Sequence, residues 1–158
     1  MPKEKQVIRK ARKGKAIRQV AAIPVRRDAD GRIEVLLITS NTTKRFIVPK
    51  GWPMKGKSGR KTAMIEAREE AGVTGVALKK PLGTYAYWKR LSERFVNVVV
   101  TIYLLPVTEE LPEWEEAAKR KRAWLRPADA AKLIDEPQLA TLVLHIAQVD
   151  HLDNVGLR

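Results

Sequence analysis

The order of apolar and polar positions along the chain predicts short strands first and helices in the C-terminal third. Seven apolar segments bounded by polar turns are typical of strands. They are Gln19–Arg26, Ile33–Thr39, Arg45–Pro49, Ala77–Lys80, Gly83–Lys89, Phe95–Pro106 and Lys121–Leu125. A polar turn over Asp28–Arg32 joins the first two as an antiparallel hairpin. Helical apolar spacing predicts helices over Pro127–Ile134 and from Leu139 to about Val149. A mixed sheet between helices fits this order, so we expect an α/β fold.

One stretch, Pro49 to Val73, combines a loop that contains Gly, Pro and Lys with a helical run that holds three glutamates. Glu66, Glu69 and Glu70 stand at i, i+3 and i+4, so on a helix they share one face with roughly 5–6 Å between neighbours. Such carboxylates repel one another unless a cation lies among them, and hard ions such as Mg²⁺ or Mn²⁺ suit them. The stretch therefore predicts a metal–phosphate site, with a solvated acidic helix face as the alternative.

The same stretch resembles the signature of the Nudix hydrolases, G-x5-E-x7-R-E-U-x-E-E-x-G-U, in which U is aliphatic. The matching residues are Gly51, Glu66, Ala67, Glu69, Glu70, Gly72 and Val73. Two positions depart from the signature, because Lys57 replaces its first Glu and Ile65 replaces its Arg. In the family these two residues support the metal ligands, and such losses commonly cost ~10–100-fold in affinity or activity. Both are absent together, which leaves either a variant active box or an inactive one.

The resemblance implies a Nudix-type α/β/α sandwich with a mixed β-sheet and a metal-dependent hydrolysis of phosphoanhydride bonds. Its metal ligands would be Glu66, Glu69, Glu70 and the backbone carbonyl of Lys50. The catalytic base in the family is a box glutamate or an acid from a later loop. The candidates for catalysis are therefore Glu66, Glu69 and Glu70, followed by Glu115 and Glu116 of an acidic loop, whose alternative interpretation is plain solvated loop acids.

A second stretch, Leu111 to Leu133, resembles the diphosphoinositol polyphosphate phosphohydrolases, a Nudix subfamily that also cleaves diadenosine polyphosphates. The matching residues are Trp114, Glu115, Lys121, Arg122, Trp124, Asp129 and Ala130, although the first Trp lies closer to the basic run. The expected ligand is therefore a small molecule with many phosphates. The candidate substrate-binding residues are Lys50, Gly51, Lys55, Lys57, Lys89, Arg90 and Arg94, and Arg60 and Lys61 are further basic residues of the box.

Composition adds limits to this interpretation. The 158 residues suit one domain, and no apolar run approaches the ~20 residues that span a bilayer. The sequence has no cysteine, which excludes disulfides, thiolate metal sites and cysteine nucleophiles. No signal-peptide core is present at the N-terminus, so we expect a cytoplasmic enzyme.

The formal net charge of +13 is concentrated near the N-terminus, where Met1 to Arg18 carry eight cationic residues and one acid, Glu4. We expect a flexible basic arm over residues 1–16 and a Nudix hydrolase domain over 17–158. The arm would attract anions at long range. It also motivates an alternative function, hydrolysis at RNA 5′ ends, while Lys57 and Ile65 motivate another, a non-catalytic binding module with the Nudix fold.

Overall fold

The computed structural model describes residues 2–148. The strands are β1 Ile17–Arg27, β2 Ile33–Thr39, β3 Phe46–Ile47, β4 Lys50–Gly51, β5 Val73–Gly75, β6 Gly83–Arg90, β7 Phe95–Glu110 and β8 Arg122–Leu125, and the helices are α1 Pro2–Arg12, α2 Gly59–Glu66, α3 Pro127–Leu133 and α4 Pro137–Ile146. A π-helical turn over Ala67–Ala71 continues α2. The end predicted for the last helix, Val149, lies outside the described residues. None of the helices within residues 2–148 is long and apolar enough to cross a bilayer.

Strand β1 lies at the centre of the sheet and positions the site. It pairs in parallel with β7 from Ile17↔Val98 to Val25↔Pro106, and antiparallel with β2 and β4. The strands between residues 2 and 148 form one mixed sheet with the core order β3-β2-β1-β7-β5, to which β4, β6 and β8 add as partners of β1, β7 and β2. The predicted mixed sheet is therefore confirmed.

Each face of the sheet carries its own apolar core. On one face the alanine stripe of the box helix, Ala63, Ala67 and Ala71, is fully buried against Leu36 and Leu105. Small side chains at every fourth position let this helix lie close to the sheet. On the other face, α3 and α4 contribute their own buried residues, which are Ala130, Ile134, Leu139, Val143 and Ile146. The predicted α/β/α sandwich is confirmed by these two cores.

The prediction of a strand over Ala77–Lys80 is wrong. Strand β5 forms earlier, at Val73–Gly75, because β7 continues past Pro106 to Glu110 and offers it an antiparallel partner. Gly75 permits this pairing, since a Cβ there would lie 2.1 Å from the carbonyl oxygen of Pro106. The register shifts between Thr74 and Gly75, and the last pair is Gly75↔Val107.

The segment expected to be a flexible arm contains α1. Val7 is only 7% exposed and belongs to the core on the side of α3 and α4. The carboxylate of Glu4 accepts hydrogen bonds from the backbone N–H of Ser92, at 2.9 Å, and from the Ser92 hydroxyl. An apolar contact and a polar contact thus attach α1 to the domain, which explains why this basic segment takes a defined helical position. Where the domain begins and ends along the chain stays a prediction.

Candidate active site

Strand β4 brings Lys50 and Gly51 to the box helix. Its pairing with β1, Val20↔Gly51 and Ala21↔Lys50, fixes the backbone beside the end of α2. A Cβ on Gly51 would lie 2.3 Å from Oε1 of Glu66, so only glycine lets the Glu66 carboxylate approach the strand this closely. The first glycine of the signature therefore makes room for a carboxylate.

The box helix is not α-helical throughout. After Glu66 it widens into the π turn and ends at Gly72, whose φ of +66° lets its N–H donate to the carbonyls of Ala67 and Arg68. A π turn holds more residues than an α turn, so position i+4 falls nearer to i and position i+3 falls farther away. Glu66 and Glu70 are thus brought toward one line, whereas Glu69 turns aside toward the loop that follows β7. Such turns occur frequently at functional sites.

Glu66 collects uncompensated negative charge. Burial, followed by the charges of Glu70, Glu69 and Glu116, raises the pKa of its carboxyl to about 7, while the charge of Lys3 opposes this. Burial and then the charges of Glu115 and Glu116 likewise raise the pKa of Glu69. Burial alone would not attract a cation, but the repulsion among these acids is a charge that a bound cation neutralises.

Glu70 is the buried carboxylate of the site and has two partners. It is 9% exposed, its Oε1 accepts from the backbone N–H of Lys50 at 3.2 Å, and its Oε2 lies 3.5 Å from the guanidinium of Arg120. Burial raises the pKa of Glu70, and the charge of Arg120 is the largest opposing influence. Arg120 also donates to Glu116 at 2.8 Å and to the carbonyl of Thr39 at 3.1 Å. It thus joins the loop acid Glu116 to the box.

Arg120 was not singled out by the sequence. It stands in the run KRKR, where four successive cations give no sign of which one turns inward. Its function here resembles what the signature assigns to the missing arginine, since it supports a box carboxylate from a different part of the chain. Ile65, at the signature's arginine position, is half-buried.

The donor set fits a divalent cation by its chemistry. Mg²⁺ keeps several waters and is usually held by one or two carboxylates that substrate phosphates complete. Glu66 and Glu70 provide such a pair beside the Lys50–Gly51 backbone. Within residues 2–148 no three His, Cys, Asp or Glu side chains form a ready metal cluster, which is consistent with Glu69 turning aside and with Arg120 occupying one side of Glu70.

The C-terminal end of the box helix is held by a clamp, which we define as residues Leu111, Trp114, Glu116 and Arg122. The indole N–H of Trp114 donates to the carbonyl of Glu70 at 3.0 Å, and the N–H of Glu116 donates to that of Glu69 at 3.1 Å. Arg122 donates to the carbonyls of Ala71, Gly72 and Leu111 and lies 4.0 Å from the Trp114 ring centroid. The clamp satisfies the last carbonyls of the helix. Trp114 and Arg122, which carried the subfamily resemblance, therefore act on the box.

A cationic side faces the carboxylates. Burial lowers the pKa of Lys50 to about 8, although the charge of Glu70 opposes the shift, and burial also lowers the pKa of Lys89. The ammonium of Lys50 lies 5.3 Å from the ring centroid of Tyr87, and that of Lys89 lies 5.8 Å from that of Trp52. Of the seven substrate-binding residues expected from the sequence, Lys50, Gly51 and Lys89 thus come together at the site.

The other four expected binding residues lie apart from this group. Lys55 and Lys57 are exposed in the loop before α2. Arg90 ends β6 and Arg94 lies in the turn before β7, both exposed. Of the later-loop acids, Glu116 reaches the site through Arg120, and Glu115 is exposed.

Comparison with known proteins agrees with this geometry. A NUDIX domain model matches residues 17–145. Nudix hydrolase 12, mitochondrial, of Arabidopsis thaliana is 33% identical over 110 residues, which are 67% of this chain and 54% of that protein. Diphosphoinositol polyphosphate phosphohydrolase 3-beta of Homo sapiens is 36% identical over 104 residues, which are 64% of this chain and 60% of that protein. The chain thus matches little more than half the length of these relatives.

A solved structure supports the same fold. The crystal structure of the C. elegans Ap4A hydrolase superposes with a TM-score of 0.61 at 19% identity, over 84% of this chain and 97% of that one. The resemblance deduced from the box and from the Leu111–Leu133 stretch is therefore confirmed, and the chain belongs to the Nudix hydrolase family.

Proposed function

We propose that this protein is a metal-dependent pyrophosphohydrolase that cleaves a phosphoanhydride bond in a polyphosphorylated small molecule. The observation that carries the proposal is the convergence of the Glu66 and Glu70 carboxylates on the Lys50–Gly51 backbone, with Lys50 and Lys89 close enough for the charge of Glu70 to act on both. Anionic groups that attract a cation, next to cationic groups that attract phosphates, are the two parts that phosphoryl transfer needs.

A divalent cation, Mg²⁺ or Mn²⁺, would be held by Glu66, Glu70 and the carbonyl of Lys50, since Glu69 turns aside from this pair, and when bound it would supply charge neutralisation at the phosphates and acidification of a water. The protein's own groups do the rest. The backbone N–H of Lys50 and the guanidinium of Arg120 orient Glu70. The ammonium groups of Lys50 and Lys89 bind the phosphate chain.

The proton of the attacking water is taken by a carboxylate in this proposal. Glu69 and Glu116 are the two acids best situated for this task, because the N–H of Glu116 is bonded to the carbonyl of Glu69 and both acids flank Glu66. Trp52, which follows Gly51, offers a ring face on which a base or sugar ring can stack.

The substrate class follows from the relatives. The names of relatives such as the human diphosphoinositol polyphosphate phosphohydrolase 3-beta give a small molecule crowded with phosphates. Diphosphoinositol phosphates and diadenosine polyphosphates therefore lead the proposal. The cytoplasmic location stays a prediction.

The test is a product-release assay with Mg²⁺ or Mn²⁺ on a panel of phosphoanhydrides. The panel contains diadenosine tetra-, penta- and hexaphosphates, ADP-ribose, nucleoside triphosphates, a diphosphoinositol phosphate and 5′-triphosphorylated RNA. We expect turnover concentrated on the substrates with most phosphates, lost on chelation of the metal and reduced more than about 100-fold by Glu70→Gln. Glu93→Gln, the same change at an exposed residue of the β6–β7 turn, is the control and should keep full activity.

Two results would contradict the proposal. No turnover of any panel member by a protein that binds metal would favour a non-catalytic binding module. Equal activity in Glu70→Gln and Glu93→Gln would show that Glu70 of the box does not take part in the reaction.

A further inference from the structure

A cavity of about 290 Å³ lies between α1, the start of β1 and the loop that follows β4. Its walls include Lys3, Gln6 and Lys10 from α1, together with Arg18 and Trp52. The three α1 residues share one face of the helix, because they stand at i, i+3 and i+7. Val7, on the same side, is the residue that buries α1 against the core. The docking of α1 therefore points a lysine pair into the cavity.

The charge of this cavity is cationic. Lys3, Lys10 and Arg18 are all exposed within it, and its lining includes no acidic residue among those described. The one acid of α1, Glu4, is bound elsewhere, to the backbone and hydroxyl of Ser92. Three cations that face a concave space without a carboxylate would repel one another unless an anion binds among them.

The cavity adjoins the catalytic carboxylates. Trp52 lines it and directly follows Gly51, which touches Glu66. The charge of Lys3 also acts on the Glu66 carboxyl, where it opposes the larger effects of burial and of the neighbouring acids, which raise the pKa. The ammonium of Lys89 lies over the same Trp52 ring, at 5.8 Å from its centroid. Cationic groups thus continue from the proposed phosphate site past Trp52 to α1.

We propose that α1 completes a second phosphate subsite, in which Lys3, Lys10 and Arg18 bind phosphate groups of the substrate that are remote from the bond being cleaved. This inference rests on the proposed function. It narrows the substrate class to compact molecules with several clustered phosphates. The family match covers residues 17–145, so Lys3 and Lys10 of α1 lie outside it and Arg18 lies within it.

Size separates a compact ligand from a polymer. Pockets for whole small molecules are roughly 300–1,000 Å³, so a cavity of about 290 Å³ suits part of one ligand. RNA without sequence preference is instead bound along an extended groove with stacking platforms. The cavity has one aromatic residue, Trp52, among the residues that line it, and is closed on one side by α1.

The test compares two double variants of α1 that remove equal charge. Lys3→Ala/Lys10→Ala removes the cavity pair, whereas Lys5→Ala/Arg9→Ala removes two exposed cations outside this cavity. Inorganic tripolyphosphate, titrated calorimetrically, is the probe, and the panel substrates are assayed in parallel. Unfolding temperatures of both variants check that α1 stays folded.

We expect the cavity pair to weaken tripolyphosphate binding by about tenfold or more, since removing one hydrogen bond to a charged group lowers affinity by about a factor of ten. The KM of the best substrate should rise by a similar factor with kcat nearly kept. The control pair should change either quantity by less than about threefold, because its effect is long-range and screened.

The remaining outcomes distinguish failure of the subsite from failure of the proposed hydrolase function. Equal losses in both variants, or none in either, would overturn the subsite while turnover of the panel left the proposed function standing. If the two double variants differ in tripolyphosphate binding but the protein turns over no substrate, the subsite would be supported and the hydrolase function contradicted. A contrast seen only with 5′-triphosphorylated RNA would overturn the small-molecule subsite in favour of a polymer.

Discussion

The two ends of the box helix are held by different contacts. At the C-terminal end, the clamp places two side chains and two backbone N–H groups on four carbonyls, those of Glu69, Glu70, Ala71 and Gly72. At the N-terminal end, the loop before α2 is largely exposed, and Ser58 caps the helix by accepting from the N–H of Lys61 at 3.1 Å. Arg60 adds one hydrogen bond at this end, from its Nε to the carbonyl of Ala77 at 2.7 Å, so more hydrogen bonds from other elements reach the helix at the end where the carboxylates lie.

The departures from the family signature follow this difference. Lys57 lies in the exposed loop, where a change of charge disturbs little packing. Ile65 lies beside the carboxylates, and there Arg120 supplies the cation that the signature would have placed on the helix. The signature arginine, missing at half-buried Ile65, is thus replaced by Arg120, whereas the signature glutamate, missing at exposed Lys57, has no replacement that we identify within residues 2–148.

The largest expected effect compares two glycines with positive φ. Gly72 has a φ of +66°, and a Cβ there would lie 2.6 Å from both Arg122 and Trp114, whereas Gly56 has a φ of +75° and open space. We expect Gly72→Ala to lower the free energy of unfolding by about 3–5 kcal/mol, from backbone strain plus displacement of the clamp. Gly56→Ala should cost only the strain, about 1–2 kcal/mol. Urea unfolding measures both, and equal losses would mean that the clamp adds nothing.

A smaller effect on stability but a clear one on activity is expected for Arg120→Ala. The change leaves Glu70 and Glu116 without their cation, and we expect kcat/KM to fall by about 10–100-fold. Because Arg120 lowers the pKa of Glu70, its loss should also move the acidic limb of the pH–activity profile to higher pH.

The matched control is Arg68→Ala, at an exposed arginine of the π turn. It should leave both the rate and the profile unchanged. Arg120→Lys should recover part of the activity, since a lysine restores charge without the paired geometry of a guanidinium. Full activity with an unshifted pH profile in Arg120→Ala would show that Arg120 does not replace the signature arginine that is missing at Ile65.

The smallest effect is expected for Lys57→Glu, which restores the acid of the signature. Because Lys57 is exposed in the loop, the change should alter kcat/KM by no more than about fivefold and the unfolding temperature hardly at all. The panel assay with the best substrate measures this. A much larger gain would mean that the loop closes on the box during turnover.

Much of the fold could be predicted from the sequence because its signals are local. The turn at Asp28–Arg32, the long apolar run of β7 and the alanine stripe of the box helix each specify their element within a few residues. The prediction at Ala77–Lys80 was wrong because its residues suit a strand, while β5 is determined by pairing with the far end of β7.

The grouping of acids in the box was visible in the sequence, whereas the residues that support them were not, and the catalytic and metal-binding roles of the acids stay a prediction. Glu66, Glu69 and Glu70 were found through their spacing, but the π turn that separates Glu69 leaves no mark in composition. Arg120 and the docking of α1 depend on contacts between distant parts of the chain, Arg120 with Glu70 and Glu4 with Ser92. Such contacts are set by topology, which charge patterns alone do not encode.

The clamp also imposes an order on folding. Gly72 and Arg122 are 50 residues apart, so ribosomes complete the box helix well before the arginine that closes it has been made. Until then the last carbonyls of the helix depend on water, and the carboxylates have no fixed partner in Arg120. The nascent chain thus carries an acidic helix whose last carbonyls find their protein partners only when the C-terminal third joins the sheet through β8.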